Sequence, residues 1–191
     1  MSDHATPKYA RVTAGFALIE VMISLLIVSV GLLGIAKMHA LAIGNTQVAG
    51  SRALAAIYAG SLSSAMHANR AYWQAGLAPA STTVVGNTDG TTTIGDTTLN
   101  GQTANCTYSS SNTAPQCTPV QLASADLKTW GQSLLQLPGG NGLVSCSTTV
   151  GLPVTCSITV SWNEKYVGLN TGTLNSSQQT ASKSFIALVQ P

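Results

Sequence analysis

The sequence predicts an α+β fold: a long N-terminal α-helix packed on a small antiparallel β-sheet head. Three observations predict it. Residues 16 to 36 form an apolar run, and no proline occurs between Pro7 and Pro79, so a helix started in the run can continue well past it. Val154 to Trp162 alternates apolar and polar side chains, the period of a strand with one buried face. All four cysteines lie in the C-terminal half, where two disulfides would staple a small head.

The totals narrow the function classes. Of 191 residues, 7% are charged and the net charge is +2. A soluble enzyme of this length carries roughly a quarter charged residues, and a nucleic-acid partner calls for a much stronger basic balance. The chain also splits in composition. Residues 16 to about 70 are rich in Ala, Leu, Ile, Val and Met. Of the 36 residues from 81 to 116, 23 are Ser, Thr, Asn or Gly, too polar to build a core unaided.

The first element is the apolar helix. From Phe16 to Ala36 there are 21 residues, of which Glu20 alone is ionisable. At about 1.5 Å per residue this gives roughly 31 Å, the thickness of a bilayer core. Lys8 and Arg11 precede it and Lys37 follows. A secretory signal peptide is one alternative, but the run exceeds the usual apolar core of such peptides and no clean small-x-small site follows. A plain single-pass anchor is another, and it leaves Glu20 unexplained. A carboxylate in a spanning helix costs about 2.5–3.5 kcal/mol at the centre, less near an end, and tends to mark a function.

Gly15-Phe16-Ala17-Leu18-Ile19-Glu20 after a short basic leader resembles the class III signal of type IV pilins and their relatives. The resemblance implies that a membrane prepilin peptidase cuts between Gly15 and Phe16 and that Phe16, the new first residue, is methylated. It makes Glu20 the fifth residue of the mature chain. An amine at Phe16 and a carboxylate at Glu20 of a neighbouring subunit attract strongly in low dielectric, and either charge is costly if left alone there. Glu20 is then a register-setting residue of the assembly. Lys8 and Arg11 would hold the leader in the cytoplasm. The resulting division is a leader at 1–15, a long helix at 16–70 and a head at 71–191. Within the helix, 16–36 spans the membrane or filament core and 37–70 packs on the head.

Leu54, Ile57, Tyr58, Leu62, Ala65 and Met66 continue an apolar face beyond the membrane, with Leu41 and Val48 extending it weakly. Gly31, Gly34, Gly44, Gly50 and Gly60 interrupt the helix, each at about 1 kcal/mol relative to Ala. His39 and His67 read as helix-surface residues. Tyr72 and Trp73 read as seals of the head.

Residues 81 to 121 read as a loop-rich polar insertion with short β pieces at Ser81–Val85 and Thr91–Ile94. Cys106 and Cys117 can close a 12-residue loop within it. A second helix is predicted at Ser124–Gln136, capped by Ser124 or Asp126, with Leu127, Trp130, Leu134 and Leu137 as its buried face and Pro138-Gly139-Gly140 as its stop. Leu143 to Val150 would pair with Val154–Trp162 across a turn near Gly151-Leu152. That hairpin brings Cys146 nearly opposite Cys156, so a cross-strand disulfide is reasonable. Three pairings of the four cysteines are possible, and four free buried thiols are the alternative. No C-x-x-C spacing or nearby His suggests zinc. Ser184 to Val189 reads as a C-terminal strand.

The order Asp126-Leu127, Trp130, Leu134, Leu137-Pro138-Gly139-Gly140, then a hairpin ending Ile158-Thr159-Val160-Ser161-Trp162, resembles PilV-type minor pilins. The resemblance implies a subunit that primes pilus assembly near the filament tip. Its partners would be the prepilin peptidase, other minor pilins, the major pilin, the inner membrane of a Gram-negative bacterium and a tip adhesin, with no direct nucleic-acid contact. It would start in the inner membrane and end in the pilus. Two rival readings stand beside it: a minor pseudopilin of a type II secretion system, and a membrane-tethered adhesin or enzyme domain.

No H-E-x-x-H, G-x-S-x-G, phosphate-loop or dinucleotide fingerprint occurs, so no catalytic residue, metal ligand or cofactor is expected. Asp89 and Asp96 lie seven apart in polar sequence and read as turn residues rather than calcium ligands.

Overall fold

The computed structural model describes residues 15, 17–106, 117–147, 149, 152–165 and 180–191. The leader, Phe16, most of the turn expected near Gly151 and residues 107–116 of the polar insertion lie outside the described residues. The chain divides into two compact units, Met1–Ile43 and Gly44–Pro191.

One long helix, α1 (Leu18–Ala68), runs through both units. In the first unit it is almost uncovered among the described residues. Every described residue from Ala17 to Ala40 is exposed, and the most apolar 18-residue window has a mean hydropathy of 2.5. Such a helix is long and apolar enough to cross a membrane. Ser24 donates its hydroxyl hydrogen bond to the Glu20 carbonyl at 2.7 Å, and Ser29 to Leu26 at 2.8 Å. Both hydroxyls are thereby satisfied within the helix, as hydrocarbon surroundings require.

The second unit is the α+β head. After a one-turn helix, α2 (Arg70–Trp73), come strands β1 (Ser81–Gly86) and β2 (Thr92–Ile94) and a short helix α3 (Thr97–Asn100). Helix α4 (Pro119–Leu134) and strands β3 (Asn141–Cys146), β4 (Cys156–Lys165) and β5 (Thr180–Val189) complete it. The strands form one antiparallel sheet in the order β2-β1-β3-β4-β5. Alternate residues of β1, β3 and β4, among them Val84, Val144, Ile158, Val160 and Trp162, are buried on one face. The head part of α1 and all of α4 cover that face in a single core.

Two details of packing differ from the periodicity. On α1 the buried seam is Ala55, Ala59, Leu62 and Met66, while Leu54 is partly exposed and Ile57 is 62% exposed. Alanine lets a helix backbone sit close to its neighbour, so the small residues face the core. The polar segment is also less loop-like than its composition indicates. Its first part supplies β1, β2 and α3, and Val84, Ile94 and Leu99 enter the shared core. A short strand rich in Thr needs only one apolar residue in two when a sheet and a helix already wait for it.

Helix α4 starts five residues before the predicted start. Thr118 is its cap. The Thr118 hydroxyl accepts from the Gln121 N–H, and the Gln121 side chain accepts from the Thr118 N–H at 2.9 Å, a reciprocal capping box followed by Pro119 in the first turn. Neither Ser124 nor Asp126 caps. Ser124 is buried inside the helix and donates to the Leu99 carbonyl at 2.6 Å. The predicted face of Leu127, Trp130, Leu134 and Leu137 is fully in the core. The helix ends at Leu134, four residues before Pro138.

Candidate processing and assembly site

Gly15 is exposed, and a side chain built on it meets nothing within 4 Å. The helix begins two residues after Phe16. The Glu20 N–H donates to the Ala17 carbonyl at 2.9 Å, so Ala17 closes the first turn. Glu20 therefore sits in the first turn of α1, where the exposed N–H groups favour a carboxylate. Among the described residues no basic side chain forms an ion pair with it. Gly31 and Gly34 leave open notches farther along. The sequence motif is thus presented on an otherwise bare apolar helix, accessible at the glycine and ordered at the glutamate.

The head holds a second polar centre that sequence reasoning missed. Glu164 lies on the buried face of β4 and is 7% exposed. Arg52 of α1 grips it with two parallel bonds, Nε to Oε1 at 2.9 Å and Nη2 to Oε2 at 2.9 Å, while the Trp162 indole N–H donates to Oε1 at 3.1 Å. These bonds, the Arg52 pair first, hold the Glu164 carboxyl below its ordinary pKa against the opposing effect of burial, and the nearby Lys183 charge acts the same way. The Arg52 side chain is 59% exposed, so solvent screens the charge part of the pair. What remains is a directional clasp between helix and sheet, because a two-pronged guanidinium fits a carboxylate in one plane. No local pattern announces it: the partners are 112 residues apart. The one available signal was a glutamate continuing the buried phase of an otherwise apolar alternation.

The other carboxylates are structural. Asp89 accepts from the Thr91 N–H at 2.8 Å and the Thr91 hydroxyl at 2.6 Å, a side-chain-closed turn that lowers its pKa. Asp96 caps α3 through the Leu99 N–H at 2.9 Å. Asp126 is half-buried, and burial raises its pKa. Tyr72 and Trp73 are buried edge to face, with centroids 5.0 Å apart. Burial, with the Asp96 charge second, pushes the Tyr72 hydroxyl up to about 12. The Trp73 indole N–H finds no acceptor among the described residues.

Two disulfides are present, Cys106–Cys117 and Cys146–Cys156. The second joins directly opposed residues of β3 and β4, with Cα atoms 4.0 Å apart. No three His, Cys, Asp or Glu side chains gather in a metal-binding arrangement among the described residues.

A bare apolar N-terminal helix carrying an early glutamate, joined to a disulfide-stapled α+β head, is consistent with a pilin-like fold and suggests a structural protein. A model of the prokaryotic N-terminal methylation motif matches residues 11–36. That span contains Gly15, Phe16 and Glu20, and the match supports a type IV pilin- or pseudopilin-like protein carrying a class III signal. Such a signal implies processing by a prepilin peptidase, and with the apolar helix it is consistent with inner-membrane anchoring. The comparisons with curated proteins and with solved structures returned no match.

Proposed function

We propose that this chain is a PilV-type minor type IV pilin of a Gram-negative inner membrane. It is cleaved after Gly15, methylated on Phe16 and drawn into a small complex of minor pilins that primes pilus assembly and stays near the filament tip. The carrying observation is the methylation motif at residues 11–36 with Glu20 in the first turn of an unburied apolar helix. In this reading Glu20 pairs with the Phe16 amine of an adjacent subunit. The bare face of α1 packs against neighbouring helices once it leaves the lipid. The two disulfides, which need an oxidising compartment, fit a head outside the cytoplasm. Fold and motif suggest a scaffold rather than a catalyst.

The test is mass spectrometry of the N-terminal peptide from membrane-extracted protein, with and without Gly15→Asp. The expected peptide begins at methylated Phe16 and disappears in the variant. A retained leader, or a cut beyond the apolar run, overturns the reading. If processing holds, the abundance of the subunit in sheared filaments, relative to the membrane pool, separates a rare priming subunit from a bulk one.

A further inference from the structure

Among the described residues, strand β5 is the long open edge of the head. The opposite edge, β2, has three residues and lies against α4, with Thr92 donating to the Lys128 carbonyl. β5 has ten residues and, among the described residues, pairs only with β4. The direction of its backbone groups follows from the sheet. The Cys146 N–H points away from β4, to Ala80, and the Ser147 N–H bonds to Thr155. The Cys146–Cys156 pair is therefore the non-bonded kind, and Cys156, Ile158, Val160 and Trp162 turn their peptide groups toward β5. Opposite them stand Val189, Ala187, Phe185 and Lys183. The alternate residues Ser182, Ser184, Ile186 and Leu188 thus direct their N–H and C=O groups outward, with no partner among the described residues.

The devices that protect a free edge are nearly absent here. β5 has no proline, and its single charge is Lys183. Its side chains are apolar on both faces: Phe185 is 37% exposed, Ile186 60% and Leu188 83%. At the Lys183 end of β5 a cleft of 310 Å³ opens between α1, β4 and β5, lined by Asn45, Val48, Arg52, Lys165 and Lys183 beside Glu164. Six Lys and Arg follow Gly15 in the chain, and three of them line this cleft. Both oxygens of Glu164 are engaged by Arg52, so Lys165 and Lys183 give the cleft an excess of positive charge.

We propose that β5 is a strand-addition site for an extended segment of a different protein, which adds a sixth strand and places a carboxylate in the Lys165–Lys183 cleft. Backbone bonds along the edge would hold such a segment and the flanking apolar side chains would select it, while the charge fixes its register and direction. A second copy of this chain fits poorly. The only carboxylate in its described strands is Glu164, which is already gripped, and a β5–β5 pair brings another Lys183 and no acid.

The test uses the full chain in its native membrane with a photo-crosslinking residue at Ser184 and sequencing of the crosslinked peptide. The proposal expects a peptide from another protein that contains Asp or Glu. It further expects that Ile186→Pro, which removes an outward N–H while sparing the bonds to β4, lowers the crosslink about tenfold. Lys165→Glu with Lys183→Glu would lower it similarly, with both disulfides retained as a check on folding. A crosslink to lipid, to β5 of a second copy or to this chain's own residues overturns it, as does no crosslink at all, or one indifferent to both variants. The Phe16 methylation state in the same samples reports separately on the processing reading, so the two can fail independently.

Discussion

Glu164, which is buried, and Asp126, which is half-buried, are two acids with opposite consequences. Glu164 is held in its charged form by Arg52 and Trp162, so its folded-state pKa lies below the ordinary 4.5. Its contribution to stability is complete above that value and is lost as pH falls through the lower folded one. Replacing Arg52 by Gln removes the main cause of the shift. We expect the acid-unfolding midpoint of R52Q to move to higher pH, read from tryptophan fluorescence of the full chain in detergent. An unchanged midpoint would show that the clasp adds no net acid resistance. Asp126 gains no comparable partner, and burial raises its pKa. Folding then favours its protonated form, so stability declines as pH rises from about 4 toward the raised value and stays reduced above it. Asp126→Asn should melt at a higher temperature than the parent at pH 7, and the gain should vanish below about pH 4.

Helix α4 and strand β1 meet at a contact that depends on missing side chains. A Cβ on Gly131 would lie 2.9 Å from Val84 Cγ1 and would also strike the Thr92 side chain. Gly86 faces the same crossing from the strand side, under the Gly131 carbonyl. Gly131→Ala must therefore push helix and sheet apart, at about 1–3 kcal/mol. Gly60 is a useful contrast. It lies on the exposed side of α1 with nothing within 4 Å of an added Cβ, so Gly60→Ala should stabilise the isolated subunit by up to about 1 kcal/mol. Thermal melts of the two variants should move in opposite directions. The same reasoning explains why the α4 face Leu127-Trp130-Leu134-Leu137 was legible in sequence while its start was not. Apolar spacing survives in a local pattern. The choice of Thr118 over Ser124 as cap was settled when Ser124 found the Leu99 carbonyl in the core.

At the scale of the whole molecule, the two units differ in cover: the described residues from Ala17 to Ala40 are all exposed, whereas Gly44–Pro191 encloses the protein's own core. The proposed function makes Glu20 matter only between subunits. Glu20→Leu should leave cleavage and methylation intact yet strongly reduce the share of subunit in sheared filaments, measured against the membrane pool. Unchanged incorporation would sink the register role. The sequence alone determined the apolar helix and its N-terminal motif, the alternating strand at Val154–Trp162 and the α+β plan, because each is written in neighbouring residues or in a regular period. Tertiary structure decided the rest. It chose the Ala55–Ala59 seam over the Leu54–Ile57 face, drew the polar segment's β1 and β2 into the sheet, and joined Arg52 to Glu164. Those outcomes depend on which surfaces meet across long chain separations, where close approach and desolvation outweigh local preference.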